Sequence, residues 1–279
     1  MTTQLKINRR QPLEIKWEPL PAGFQLADEP VENTGQPLLA GALRESLEIA
    51  QSIQPQMLIA SNFALCATVN GELIIKAPDW LYVPSVRAQL PDRNSYTPNL
   101  EGDVPLIVME FLSATEGGEY SVKPTYPPGK WFFYEQILQV PIYAIFEPHD
   151  GLLELYRLQN GKYELEQPDE NGRHWLPELD LYLGTWTGTK EGRNGYWLRW
   201  WNQSSSILPW AVEQIEAERQ RAEQEAQRAE QEAQRAEQEA QRAEQEAQRA
   251  DRECEEKDKL IAYLRAQGID PEDIPYPAN

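Results

Sequence analysis

The seven-residue unit AEQEAQR repeats without error from Ala222 to Arg249. A strict heptad of strong helix formers constrains the chain to a long helix. Its alanines, from Ala222, Ala226, Ala229 and Ala233 through to Ala250, step alternately by four and three. That spacing is an a/d seam, which Val212, Ile215, Cys254, Ile261 and Leu264 extend at either end. Alanine buries little surface, so the seam is weak. Glutamates such as Glu223 and Glu225 flank it on both sides, and two copies would face carboxylate against carboxylate. Pairs at i,i+4 (Arg221–Glu225, Arg228–Glu232) and at i,i+3 (Glu225–Arg228) are expected to support a single helix. The spacing therefore predicts a solvated helical spacer over residues 210–267, projecting from the preceding domain. Self-association or a protein partner for this helix is the alternative. Gly268 and Pro271 supply the stop, and 268–279 reads as a flexible terminus.

The rest of the chain has a different character. Residues 1–209 hold most of the nine Trp and twelve Tyr of the 279-residue sequence, enough to bury a core. No apolar run approaches the ~20 residues a membrane helix needs. Arg9 and Arg10 are not followed by an apolar segment, so no secretory signal is expected. Cys66 and Cys254 match no zinc or redox spacing, which makes a reducing cytoplasm the expected setting. The formal charge of −19 opposes non-specific attraction to nucleic acid. It is not confined to the tail, since residues 210–279 carry 19 acidic and 10 basic groups, a net of −9.

Apolar periodicity predicts a helix over Leu38–Ile53, with Leu39, Leu43, Leu47 and Ala50 near one face. Strand-length runs follow at Met57–Cys66, Leu73–Pro78, Pro105–Leu112 and Pro141–Glu147. A long loop, Ser113–Gly129, and a short aromatic helix, Lys130–Leu138, separate the last two. Leu152–Leu158 and Lys162–Leu165 form a hairpin about Gln159-Asn160-Gly161. One sheet with helices packed against it is the economical arrangement.

Chemistry concentrates around Glu110. Strand alternation puts Leu106, Val108, Glu110 and Leu112 on one face of PLIVMEFL, and Ile107, Met109 and Phe111 on the other. A lone carboxylate in a strand apolar on both faces needs a partner or a metal. Asp79, after Ala77-Pro78 at the end of the preceding strand, is the nearest candidate. Two carboxylates on neighbouring strands can share Mg²⁺. The alternative has Asp79 as a turn residue and Glu110 paired with a structural Lys or Arg. His149 reads as a surface residue and His174 as no better placed. Trp197, Trp200, Trp201 and Trp210 are expected to pack the root of the tail rather than to stack bases. There is no serine triad, phosphate-binding loop or dinucleotide fingerprint.

These residues resemble the Uma-two family, a branch of the PD-(D/E)xK nuclease superfamily abundant in cyanobacteria. The resemblance runs from Ala77 to Pro148. It rests on Pro78-Asp79 with Trp80-Leu81-Tyr82-Val83-Pro84 behind it, and on Pro105-Leu106-Ile107-Val108-Met109-Glu110-Phe111-Leu112-Ser113. Lys130 with Tyr134 four residues on, and Val140-Pro141-Ile142-Tyr143-Ala144-Ile145-Phe146-Glu147-Pro148, complete it. The stretch Leu176–Leu183 also fits the end of such domains.

The resemblance implies an α/β, restriction-endonuclease-like fold over 1–209, a mixed sheet core flanked by helices, followed by the long C-terminal helix. It implies a Mg²⁺- or Mn²⁺-dependent endonuclease acting on DNA. Asp79 and Glu110 would be the metal ligands, and Lys130 would orient or deprotonate water. The parent motif's lysine, two residues after the acid, is replaced here by Leu112. Lys130, at the start of the following helix, would take its place, with Lys123 as the backup. The competing expectation is a nuclease-like interaction protein without activity, using its helical arm to bind a partner.

Overall fold

The computed structural model describes residues 13–19, 34–90, 92–113, 118–268 and 270. The reading of the N-terminal arginines falls outside these residues, as does all of the expected flexible terminus except Gly268 and Asp270. The chain divides into two units, Met1–Glu213 and Gln214–Asn279. Among the described residues no helix is long and apolar enough to cross a membrane.

The first unit contains β1 (Ile15–Lys16), α1 (Gln36–Ile49), β2 (Leu58–Ala60), β3 (Ala64–Val69), β4 (Glu72–Lys76), β5 (Trp80–Val83), β6 (Ser95–Tyr96) and β7 (Ile107–Phe111). A short α2 (Lys130–Phe132) runs directly into a π-helical turn, Phe133–Leu138. Then come β8 (Ile142–Glu147), β9 (Leu152–Gln159), β10 (Lys162–Glu166), β11 (Arg173–Leu176), β12 (Leu181–Lys190) and β13 (Arg193–Trp201). Pro37 in the first turn starts α1, and leucines 39, 43 and 47 bury one stripe of it. The helix stops at Ile49, four residues before the expected end, and Gln51 turns the chain at φ 54°.

Two expectations are corrected here. The run Met57–Cys66 is two strands, β2 and β3, broken at Asn62, which adopts φ 44°. The single sheet is three. The largest has six strands in the order β10-β9-β8-β7-β5-β2, the second joins β1-β3-β4 with β6 on β3, and the third is β11-β12-β13. The physical reason lies in β7 and β8, which are apolar on both faces and need a covering layer on each side.

One face of the six-stranded sheet presents Ile107, Met109, Phe111, Ile142, Ala144 and Phe146 to the α1 leucines and to Trp197 and Trp200 of β13. The opposite face presents Leu81, Val83, Val108, Tyr143 and Ile145 to Leu65 and Ile74 of the second sheet, and to Phe133, Tyr134 and Ile137 of the π-helical turn. β7 and β8 run parallel, so the chain between them must cross over. That crossover lays α2 and the π-helical turn on the face that carries Glu110. The expected hairpin is present as β9–β10, with Asn160 and Gly161 both at positive φ in a two-residue turn.

Helix α3, Ala211–Ala266, is continuous for 56 residues, or about 84 Å at the α-helical rise. None of its residues is buried, and Gly268 ends it at φ 75°. At the ends of the repeat Arg219 pairs with Glu223 and Arg249 with Glu253, but inside it the expected pairs Arg221–Glu225, Arg228–Glu232 and Glu225–Arg228 do not form. Instead, glutamines donate to glutamates one turn earlier, Gln234 to Glu230, Gln241 to Glu237 and Gln248 to Glu244. The shorter glutamine amide reaches its neighbour with less side-chain ordering than an exposed arginine needs, and exposed ion pairs offer little in return.

Candidate active site

Glu110 lies in β7 with its side chain 0 % exposed, so both carboxylate oxygens must be satisfied from within. The Tyr134 hydroxyl donates to Oε1 at 2.8 Å and the Lys130 ammonium to Oε2 at 3.0 Å. Spacing by four puts these two side chains on the same side of the crossover helix, facing the strand. Lys130 can start that helix because Gly129 precedes it. A Cβ on Gly129 would stand 2.0 Å from the Ser121 carbonyl oxygen, so the loop and helix meet there only without a side chain.

Asp79 approaches from the other side. β5 pairs with β7 in antiparallel register, Trp80 against Met109, which carries Asp79 up beside Glu110. Its Oδ2 accepts the Phe111 backbone N–H at 2.5 Å. The strand assignment changes accordingly. Asp79 stands at the entrance of β5, whereas the strand before it, β4, belongs to the second sheet. The sequence concealed this because Pro78 closes β4 immediately before β5 begins, with no conventional turn between them.

Lys130 has a second acidic neighbour that sequence reasoning missed. Glu119 Oε1 lies 3.5 Å from the ammonium. It comes from the long loop, where nothing in the local pattern distinguishes it from the acids around it. Lys76, at the end of β4, also faces this region. Burial lowers its pKa, and the Lys130 charge lowers it further. Leu112 packs into the core on the Glu110 face. The cation that meets Glu110 comes from the crossover helix, as Lys130. Among the described residues, Lys123 makes no ion pair.

The electrostatics follow from burial. Loss of water pushes Glu110 up to about 8; Lys130 and Tyr134 oppose that rise, and Asp79 adds to it. Burial alone would lower Lys130, but Glu110, Glu119 and Asp79 outweigh it and raise its pKa above the ordinary lysine value. Lys130 is therefore an ammonium at neutral pH. Tyr134 is raised well above its usual range by burial and by Glu110, so it is a hydroxyl donor.

Among the described residues, no group of three His, Cys, Asp or Glu side chains is arranged to cage a metal. A divalent cation held here would rest on Asp79 and Glu110, with water and substrate oxygens completing its shell. Mg²⁺ accepts such a site, because it dehydrates reluctantly and takes few protein ligands. The carboxylate-only donor set suits a hard cation and not zinc or copper.

The other candidates fall away. His149 is exposed and pairs with Asp150, and His174 is buried against Glu166 on β10. Trp197, Trp200 and Trp210 are core residues, not a stacking platform.

No curated protein matches the chain. A family model described as "Uma2: Putative restriction endonuclease" matches residues 36–190, which include Asp79, Glu110, Lys130 and the sheet that carries them. That match covers more than half of the sequence, and the chain belongs to the Uma2 family.

Proposed function

We propose that this protein is a Mg²⁺- or Mn²⁺-dependent endonuclease that hydrolyses DNA phosphodiester bonds at the Asp79–Glu110–Lys130 cluster. The observation that carries the reading is Glu110, buried in an apolar strand yet ringed by Lys130, Tyr134 and Asp79. A carboxylate whose pKa burial has brought to about 8 is readily drawn into its charged form by a divalent cation. When bound, that cation polarises a phosphoryl oxygen and lowers the pKa of water.

The side chains have separable tasks. Tyr134 fixes one oxygen of Glu110, and the Phe111 amide fixes one of Asp79, so both carboxylates are oriented before substrate arrives. The Lys130 ammonium can hold water by its lone pair or bind a non-bridging phosphate oxygen. Its raised pKa suits it to donate hydrogen bonds and not to accept the proton of water. The proposal includes a cytoplasmic setting, supported by the two free thiols, Cys66 and Cys254.

The net charge of −19 and Leu112 at the usual lysine position favour a second reading, a nuclease-like protein without activity that engages a partner through α3. Supercoiled plasmid separates the two. Wild-type protein should nick it slowly in Mg²⁺ or Mn²⁺ and not in EDTA. Lys130→Ala should lose about 10²-fold in rate while its far-ultraviolet spectrum stays that of the folded protein. Absence of nicking by the wild type in both metals would favour the second reading.

A further inference from the structure

We propose that Glu119 is a positioning residue that keeps Lys130 in the site once Glu110 engages a divalent cation, an inference that rests on the nuclease reading above. Lys130 sits between two carboxylates, Glu110 Oε2 at 3.0 Å and Glu119 Oε1 at 3.5 Å. Both oxygens of Glu110 are already committed, to Lys130 and to Tyr134. A cation drawn to Glu110 would compete for one of them, and its charge would repel the ammonium. The Lys130 side chain is 24 % exposed, so a route outward is open to it. A second carboxylate is what holds it back.

Glu119 has the features this task needs. It is 2 % exposed, and among the described residues its Oε2 is buried without a hydrogen-bond partner. An oxygen left unpaired inside the fold keeps its desolvation penalty until it gains a donor. The free oxygen leaves Glu119 able to accept a further bond from the ammonium when Glu110 releases it. The backbone is pinned as well. The Tyr143 hydroxyl donates to the Glu119 carbonyl at 2.9 Å, and Ser121 N–H closes a turn onto Gly118. The ring of Tyr120 stacks on Trp131, the residue after Lys130. The loop that carries Glu119 is thereby tied to the start of the helix that carries Lys130.

The test is acetylation of the folded full-length protein, read at Lys130 by mass spectrometry with the exposed Lys257 as reference. In wild type, saturating Mn²⁺ should leave Lys130 protected. In Glu119→Gln, Mn²⁺ should raise its labelling about tenfold, the shift a charge-assisted hydrogen bond supports. Without metal, both proteins should remain protected, because Glu110 then holds the lysine. In plasmid nicking, Glu119→Gln should lower kcat with little change in KM for DNA, and Glu119→Asp should recover part of the loss. If Glu119→Gln fails to fold, Glu119→Asp carries the labelling test, with a smaller Mn²⁺-dependent rise expected. Equal labelling of variant and wild type in saturating Mn²⁺ would overturn the role of Glu119 alone. Calorimetry showing that wild type binds no Mn²⁺ would overturn both this inference and the nuclease reading.

Discussion

Glu110→Gln will lower Mg²⁺-dependent nicking by at least about 10³-fold, the upper end of what loss of one preorganised electrostatic group costs. The substitution keeps the side chain's shape and its ability to accept a hydrogen bond from Tyr134 or Lys130. What it removes is the charge. In the proposed site that charge is half of the protein's hold on the cation, because Asp79 is the other proposed ligand and, among the described residues, no third acid is arranged to replace it. Calorimetric binding of Mn²⁺ should be lost together with activity, while the far-ultraviolet spectrum stays that of the folded protein. If wild type and variant nick at the same rate, the cleavage belongs to a contaminant.

Trp210→Ala has the largest expected effect on stability. Trp210 is 1 % exposed and packs edge-on against Trp186 and Trp197. The guanidinium of Arg199 lies 3.4 Å from the centre of its ring, and its indole N–H donates to the Ala42 carbonyl on α1. Arg199 is itself fully buried and held by two bonds to Glu213. Truncation removes the ring, the cation–π contact and a long-range hydrogen bond together. The expected cost is about 3–5 kcal/mol, or roughly 6–20 °C in melting temperature. Differential scanning calorimetry checks it. A shift below about 2 °C would mean that the Trp210 cluster contributes little to the core.

The parts of this structure legible in the sequence are those set by local periodicity. The heptads of α3, the leucine stripe of α1 and the Asn160-Gly161 hairpin each follow from spacing or turn chemistry within a short window. The alternation in β7 was legible too, and it put Glu110 on the face that receives the crossover helix. The number of sheets was not, because it depends on which strands need cover on both faces. The break at Asn62 is one residue in a left-handed conformation inside an otherwise apolar run. Lys130 and Tyr134 came from a family resemblance and not from physics, since their meeting with Glu110 joins residues 20 and 24 positions apart across a crossover. Glu119 had no signal of either kind. Its significance arises from burial and from its distance to Lys130, neither of which local sequence encodes.

A divalent cation held between Asp79 and Glu110 is the centre of the proposed chemistry. A crystal soaked in Mn²⁺ and measured at the manganese absorption edge tests it. One anomalous peak is expected at about 2.0–2.3 Å from a carboxylate oxygen of each residue, with the Lys130 ammonium still beside the site. An empty position between those carboxylates at saturating Mn²⁺, or a peak bound only to other residues, would contradict it.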